Sequence, residues 1–329
     1  MSRPLVTIVS PTYNQQRFVA ECIQSALAQT YDHWEQIFVD DGSTDGTRDV
    51  IARYPDPRIR LIALPHRGLA ALAESYNAAL AVARGSLVAI LEGDDAWPAD
   101  KLARQVSVFD DSSTVLSWGR GALIDADSRR TRVMTTMKRA DPDQRIETAA
   151  AFHRLTRENF LIPSVTVMVR RSALDAIGGF RQTGSVLFVD LPTWLWVTAV
   201  HDGRVAYLDH ELGIYRHHLG GTSTDKAAQM KLEHLRVVLA VEAALGPAAL
   251  ARVQWDARSR RRALARGGLV RAKIELASSR YAEAYLSYRT ALGIAVDVGI
   301  RMRAMRGMVR AKALALLARA AGTIRDAGG

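Results

Sequence analysis

Residues 5–45 read LVTIVSPTYNQQRFVAECIQSALAQTYDHWEQIFVDDGSTD, and the fold is decided in this stretch. It opens with a short β-branched run, Leu5-Val6-Thr7-Ile8-Val9-Ser10, and turns at Pro11, Thr12 and Asn14. It then sets Phe18, Cys22/Ile23 and Ala26/Leu27 at three- and four-residue spacing. Strand, loop and helix follow one another. The order repeats as Glu35-Gln36-Ile37-Phe38-Val39, the turn Asp40-Asp41-Gly42-Ser43, and a helix over 47–53. Outward from there, 59–64 reads as a strand, 70–83 as a helix after Gly68, and 86–91 as a fourth strand. Strands alternating with helices of about 10–15 residues predict right-handed crossovers and a doubly wound, mainly parallel α/β sheet covered on both faces. Such sheets bind ligands beyond the carboxyl ends of their strands.

Beyond residue 115 the pattern is less regular. Residues 115–124 and 164–169 read as strands, 174–177 as a short helix stopped by Gly178-Gly179, and 193–200 as an apolar helix. From Lys226 the composition turns to Ala, Leu and Arg, which predicts helices to the end, interrupted near Gly246-Pro247, Gly267-Gly268 and Gly293. Two domains are expected on this basis, 1–225 and a basic helical region 226–329.

Charge divides at the same place. The chain has 44 Lys and Arg against 34 Asp and Glu, a net charge of +10, yet residues 1–225 hold 24 against 27 and residues 226–329 hold 20 against 7. A basic appendage on an acidic body calls for an anionic partner. Few aromatics lie among its arginines for base stacking, so nucleic acid is not expected. Over 300–317, Met302, Met305, Val309, Ala313 and Leu316 recur at helical spacing while Arg303, Arg306 and Arg310 take another face. An amphipathic helix with a cationic side is expected there, lying on an anionic membrane in preference to packing on the first domain. No 18-residue apolar span exists. The lone Cys22 cannot pair within the chain, no N-glycosylation sequon is present, and Met1-Ser2-Arg3-Pro4 runs straight into a strand without a signal-like apolar stretch. The expected location is the cytoplasm, peripheral on the inner face of the membrane.

The chemistry concentrates in acidic clusters after strands: Asp40-Asp41, Asp94-Asp95 with Glu92 nearby, and Asp190. Adjacent carboxylates repel unless a cation or donors compensate them, and oxygen-only ligands suit Mg²⁺ or Mn²⁺ shared with substrate phosphates. A nucleoside diphosphate or triphosphate is the implied ligand. Asp40-Asp41-Gly42-Ser43 also fits a plain turn and helix cap. No Walker loop, no G-x-G-x-x-G after the first strand and no G-x-S-x-G elbow is present, which removes support for kinase, dinucleotide-dehydrogenase and serine-hydrolase chemistry. One cysteine and no helical His pair argue against structural zinc.

Six segments, Val9-Ser10-Pro11-Thr12-Tyr13-Asn14, Val39-Asp40-Asp41-Gly42-Ser43-Thr44-Asp45, Leu91-Glu92-Gly93-Asp94-Asp95, Gly178-Gly179-Phe180, Asp190 with Trp194-Leu195-Trp196, and Tyr215-Arg216-His217-His218, stand in an order and spacing that resembles the family 2 inverting glycosyltransferases of the A-type fold. The likeness covers about residues 4–225. It implies transfer of a sugar from a nucleotide diphosphate donor to a hydroxyl of a glycan or lipid-linked acceptor, in cell-surface polysaccharide synthesis. Pro11, Thr12 and Asn14 would shape the nucleoside loop, Asp41 would accept from a base N–H, Asp94 would face the ribose, Asp95 would bind Mn²⁺ or Mg²⁺, and Asp190 would be the base. His218 would approach the metal or diphosphate, with His217 an alternative one residue away. The family often has Arg-Asn where this chain has Tyr76-Asn77, and Arg67 is the substitute cation considered for the diphosphate. Residues 219–224, with paired glycines, fit a lid. Two alternatives stand beside it: a nucleotidyltransferase, for which 11–16 lacks a basic residue, and a non-catalytic sugar-nucleotide or glycan binder, against which the intact acidic set argues.

Overall fold

The computed structural model describes residues 3–134, 144–157, 162–219 and 226–326, so the expected lid lies outside the described residues apart from Leu219. The first half follows the alternating pattern: β1 (Val6–Thr12), α1 (Val19–Leu27), β2 (Trp34–Asp40), α2 (Thr47–Ala52), β3 (Ile59–Ala63), α3 (Leu72–Val82) and β4 (Leu87–Ile90). These four strands are parallel in the order β3-β2-β1-β4, with Val6 paired to Trp34 on one side and Leu87 on the other. Strand order reverses at β1, so the crevice for a ligand opens at Thr12, between the ends of β2 and β4.

Both sheet faces are covered, which is why the strands are apolar on successive residues. Val6, Ile8, Phe38, Leu87 and Ala89 meet Val19, Cys22, Ile23 and Ala26 of α1. Val9, Ile37, Val39, Val88 and Ile90 meet Tyr76, Ala79 and Leu80 of α3 and the helices that follow. Cys22 is a core residue with no exposed surface.

The rest of the sheet is mixed. After α4 (Lys101–Val106) come β5 (Thr114–Ile124), β6 (Arg130–Met134), β7 (Arg145–Glu147), α5 (Thr148–Leu155), β8 (Met168–Arg170), α6 (Arg171–Ala176), α7 (Asp190–Val200) and β9 (Arg204–Arg216). β8 is wedged antiparallel between β4 and β5, β5 runs parallel to β9, and β7 closes the edge, with β6 paired on β5. The strand expected over 164–169 is shorter, because Ser164–Thr166 form a 3-10 turn. β9 is hidden from the alternating pattern, because Asp209, His210 and Glu211 break it, and register shifts beside Gly119 and Arg120 absorb the irregular stretch.

Five helices follow: α8 (Ala227–Ala244), α9 (Pro247–Arg252), α10 (Ala257–Ala277), α11 (Tyr281–Ile294) and α12 (Val298–Asp326). The break at Gly246-Pro247 is present, with Pro247 opening α9, and Gly293 sits at the end of α11. Gly267-Gly268 does not interrupt a helix; both residues lie inside α10. A Cβ at 267 would come 2.3 Å from Leu235 Cδ2 and one at 268 would come 3.1 Å from Ala291 Cβ, so the glycines let α8 and α11 approach. Packing on the sheet continues past residue 226. Met230, Val237, Val238 and Val241 of α8, with Val253, Trp255 and Ala263, join the sheet's core, and a separate cluster begins only at Ala265. Among the described residues, no helix is long and apolar enough to cross a membrane.

Candidate active site

β1 delivers Pro11 and Thr12 to the sheet edge, and the chain then turns at Asn14, whose φ is +50°. Asparagine tolerates this left-handed conformation because its short side chain bonds locally. Here Asn14 N–H donates to Ser43 Oγ at 2.9 Å and Asn14 Oδ1 accepts from Thr44 N–H at 2.8 Å, which ties the loop after β1 to the turn after β2. The two aspartates of that turn divide their work. Asp40 is fully buried and accepts from Ser43 N–H and Arg48 Nε, each at 3.0 Å, so it braces the turn. Asp41 points the other way and accepts from the backbone N–H groups of Arg67 and Gly68, each at 2.9 Å, with His66 Nδ1 3.0 Å away. The His66 ring stacks on Tyr13 with centroids 4.2 Å apart and planes 19° from parallel.

The acidic segment after β4 lies against this loop. A Cβ at Gly93 would sit 2.3 Å from Gln15 Oε1 and 2.7 Å from Thr12 Oγ1, so only glycine allows Glu92 and Asp94 to reach the crevice so close to β1. Glu92 accepts the hydroxyl of Tyr76. Burial, helped by the charges of Asp94 and Asp190, pushes its carboxyl up to about 7. Asp94 Oδ2 lies 3.0 Å from His218 Nε2, a contact that raises the imidazole's affinity for its proton. Asp95 is wholly buried behind the cavity wall, with Oδ1 accepting from Arg216 N–H at 2.8 Å and Oδ2 left without a partner. Burial first, then Asp94 and Glu92, hold its carboxyl well above the usual range. Carboxylate oxygens of Glu92, Asp94 and Asp95 lie within 4.8 Å of one another. Oxygen donors of this kind, with one buried carboxylate oxygen orphaned, fit a hard divalent cation.

Arg216 holds the arrangement from below. It is 2 % exposed, and its guanidinium donates to Asp94 O (2.8 Å), Asp125 O (3.2 Å), Ser128 Oγ (2.9 Å) and Glu21 Oε2 (2.5 Å). The end of β9 is thereby fixed, and it carries His218 to the cavity while His217 is exposed. Opposite, Asp190 opens α7, where the helix N-terminus favours an anion. Burial raises its carboxyl above the ordinary value against hydrogen bonds from Leu191 N–H and Ser164.

One cavity of about 1150 Å³ collects Pro11, Thr12, Asn14, Asp41, Asp94, Asp190 and His218 from the expected set. Two expected residues fall elsewhere. Asp95 does not line the cavity, because the N–H of Arg216 draws it inward. Arg67 turns its side chain outward onto Glu74 and keeps only its backbone N–H on Asp41, so the substitute diphosphate cation is not brought to the site. The wall also contains Tyr13, Arg17, His66, Tyr76 and Glu92. Tyr13 was legible in principle, standing between two loop residues; His66 was not, since only the fold of its loop over Asp41 brings it in.

The glycosyl transferase family 2 profile matches residues 7–178. TuaG of Bacillus subtilis, named as a teichuronic acid biosynthesis glycosyltransferase, is 32% identical over 207 residues, covering 62% of this chain and 75% of its own. The UDP-Glc:alpha-D-GlcNAc-diphosphoundecaprenol beta-1,3-glucosyltransferase WfgD of Escherichia coli is 36% identical over 124 residues, which span 38% of this chain and about half, 48%, of WfgD. The mannosyltransferase PcManGT of Pyrobaculum calidifontis, solved with GDP-Man and Mn²⁺, superposes with a TM-score of 0.56 at 21% identity, over 96% of this chain and 87% of that one, a likeness of fold. The profile spans the crevice loops, the acidic segment and the central strands, and by that match the chain is a member of glycosyl transferase family 2, a glycosyltransferase on an A-type sheet.

Proposed function

We propose that the chain transfers a sugar from a nucleoside diphosphate donor to a hydroxyl of a glycan or lipid-linked acceptor, with inversion, in the assembly of a cell-surface polysaccharide. The observation that carries this reading is the single cavity in which the Tyr13–His66 stack, the Asp94–His218 pair and Asp190 meet. The donor's base would lie at Tyr13 and Asp41, its diphosphate at Asp94 and His218, and the acceptor hydroxyl at Asp190. WfgD is named for a UDP-glucose donor and a lipid diphosphate acceptor, TuaG for a wall polymer, and PcManGT was solved with a sugar nucleotide and Mn²⁺, which supports each part of the proposal.

Mn²⁺ or Mg²⁺ is the proposed cofactor, with Asp94 and His218 as the cavity-facing ligands and the orphaned Oδ2 of Asp95 behind them. The ion would supply charge neutralisation to the departing diphosphate. Asp190 takes the proton of the acceptor hydroxyl while that oxygen attacks the anomeric carbon. The bond from that carbon to the diphosphate oxygen breaks on the opposite face, its electron pair leaving with the nucleoside diphosphate. One displacement inverts the centre. A carboxylate whose affinity for protons is raised by burial is a stronger base than an exposed one. The test is a screen of sugar nucleotides for diphosphate release with Mn²⁺ or Mg²⁺ and a chelator control. Release from at least one donor, dependent on acceptor, supports the reading; none from any common donor with lipid-linked or free glycan acceptors counts against it.

A further inference from the structure

α12 is amphipathic the wrong way round. Its buried seam is Ile300, Ala304, Gly307 and Ala311, at spacings of four, three and four, packed on α10 and α11. At about 100° per residue the opposite side carries Val298, Met302, Met305, Val309 and Leu316. These larger side chains are 76%, 45%, 50%, 72% and 58% exposed. The expectation that Met302, Met305 and Val309 form an apolar face therefore holds, and among the described residues none covers this face. The seam is of small residues because the helices approach closely: a Cβ at Gly307 would come 2.3 Å from the Tyr288 ring.

Cations border the exposed stripe on both sides. Arg301 and Lys312 project on one flank and Arg303, Arg306 and Arg310 on the other, all exposed, and no acidic residue occurs from Val298 to Arg325. We infer that the outward face of α12 lies on an anionic membrane surface, its Met, Val and Leu side chains entering the acyl boundary and its Arg and Lys side chains reaching up to lipid phosphates. An exposed apolar stripe rimmed by charged side chains is the pattern of an interaction surface. The two-sided cationic border selects the occupant: a second copy would oppose arginines to arginines, whereas anionic headgroups meet both flanks. The inference stands on α12 alone and needs neither the donor site nor the acceptor to be as proposed.

The test uses the full chain in co-flotation with phosphatidylcholine vesicles, with and without phosphatidylglycerol, at low and high salt. Wild type should float only with the anionic vesicles and fall off in salt. Arg303→Gln/Arg306→Gln/Arg310→Gln should bind roughly a hundredfold more weakly, from about fivefold per basic side chain near the surface. Met302→Ser/Met305→Ser/Val309→Ser should lose the binding that survives moderate salt. All six positions are exposed, so unchanged thermal unfolding and unchanged donor binding establish that the variants are folded. Equal flotation with neutral vesicles, wild-type binding by either triple variant, or self-association in sedimentation velocity that the serine variant abolishes without any vesicle binding would each overturn the membrane assignment. Failure here leaves donor binding untouched, and failure of the donor screen leaves vesicle binding untouched.

Discussion

The two ends of the molecule are packed with different material. Around the sheet, Trp34, Trp118, Trp194, Phe38, Phe152 and Ile37 are buried almost completely. In the last three helices the buried set is mostly alanine, Ala265, Ala272, Ala284, Ala291, Ala304 and Ala311, with Leu269, Ile300 and Tyr288 among them. Large side chains in a layered core make a rigid frame, and such a frame can hold the carboxylates of Glu92, Asp94 and Asp95 within 4.8 Å of one another. Small side chains allow close helix approach and leave the larger ones free for an outer surface. On the two proposals above, the sheet half would serve chemistry inside the molecule and the helical end contact outside it.

The largest effect is expected at Asp190. Asp190→Asn keeps the shape of the cavity and removes the proton acceptor, so transfer should fall by roughly 10²–10⁴, with donor affinity held within a few-fold. Wild-type transfer should also depend on pH in one direction. A base works deprotonated, and burial raises the Asp190 carboxyl, so activity rises with pH through a value above that of an ordinary aspartate. That acid limb should vanish from the residual rate of the Asn variant. A wild-type profile flat down to ordinary carboxylate pH would remove Asp190 from the role.

Stability separates the halves next. Trp194→Ala empties part of the main core and should cost about 3–5 kcal/mol in denaturant unfolding. Gly307→Ala forces a methyl into the Tyr288 ring and should cost about 1–3 kcal/mol, confined to the helical end, with donor affinity unchanged. Loss of donor binding in that variant would mean that the two packings are not independent. The smallest expected effect is Tyr13→Ala, which removes the stacking face and should weaken donor binding by about 0.5–1.5 kcal/mol, measurable by titration calorimetry.

What the sequence discloses follows the same division. The strands β1 to β4 are legible because they are buried on both faces and separated by turn residues, and the loops that close the crevice follow directly from their ends. β9 is not, since charged residues interrupt its alternation and its pairing with β5 is non-local. Asp94 and Asp190 are legible as acidic residues in the right order, but which of Asp94 and Asp95 faces the cavity depends on Arg216, more than a hundred residues away. The outward turn of Arg67 depends on Glu74, a neighbour along the chain whose pairing the spacing does not announce. At the helical end, glycine pairs read as interruptions because they also occur in turns; in α10 they mark close contact instead.

In the proposed arrangement Asp94, with His218, faces the donor's diphosphate and its cation, while Asp190 faces the acceptor. Calorimetric titration of the donor found in the screen, with and without Mn²⁺, on wild type, Asp94→Ala and Asp190→Asn tests it in one experiment. Metal-dependent affinity is expected in wild type and in Asp190→Asn, and in Asp94→Ala a loss of about tenfold or more together with loss of the metal dependence. Unchanged metal-dependent affinity in Asp94→Ala, or its loss in Asp190→Asn with Asp94→Ala intact, would contradict it.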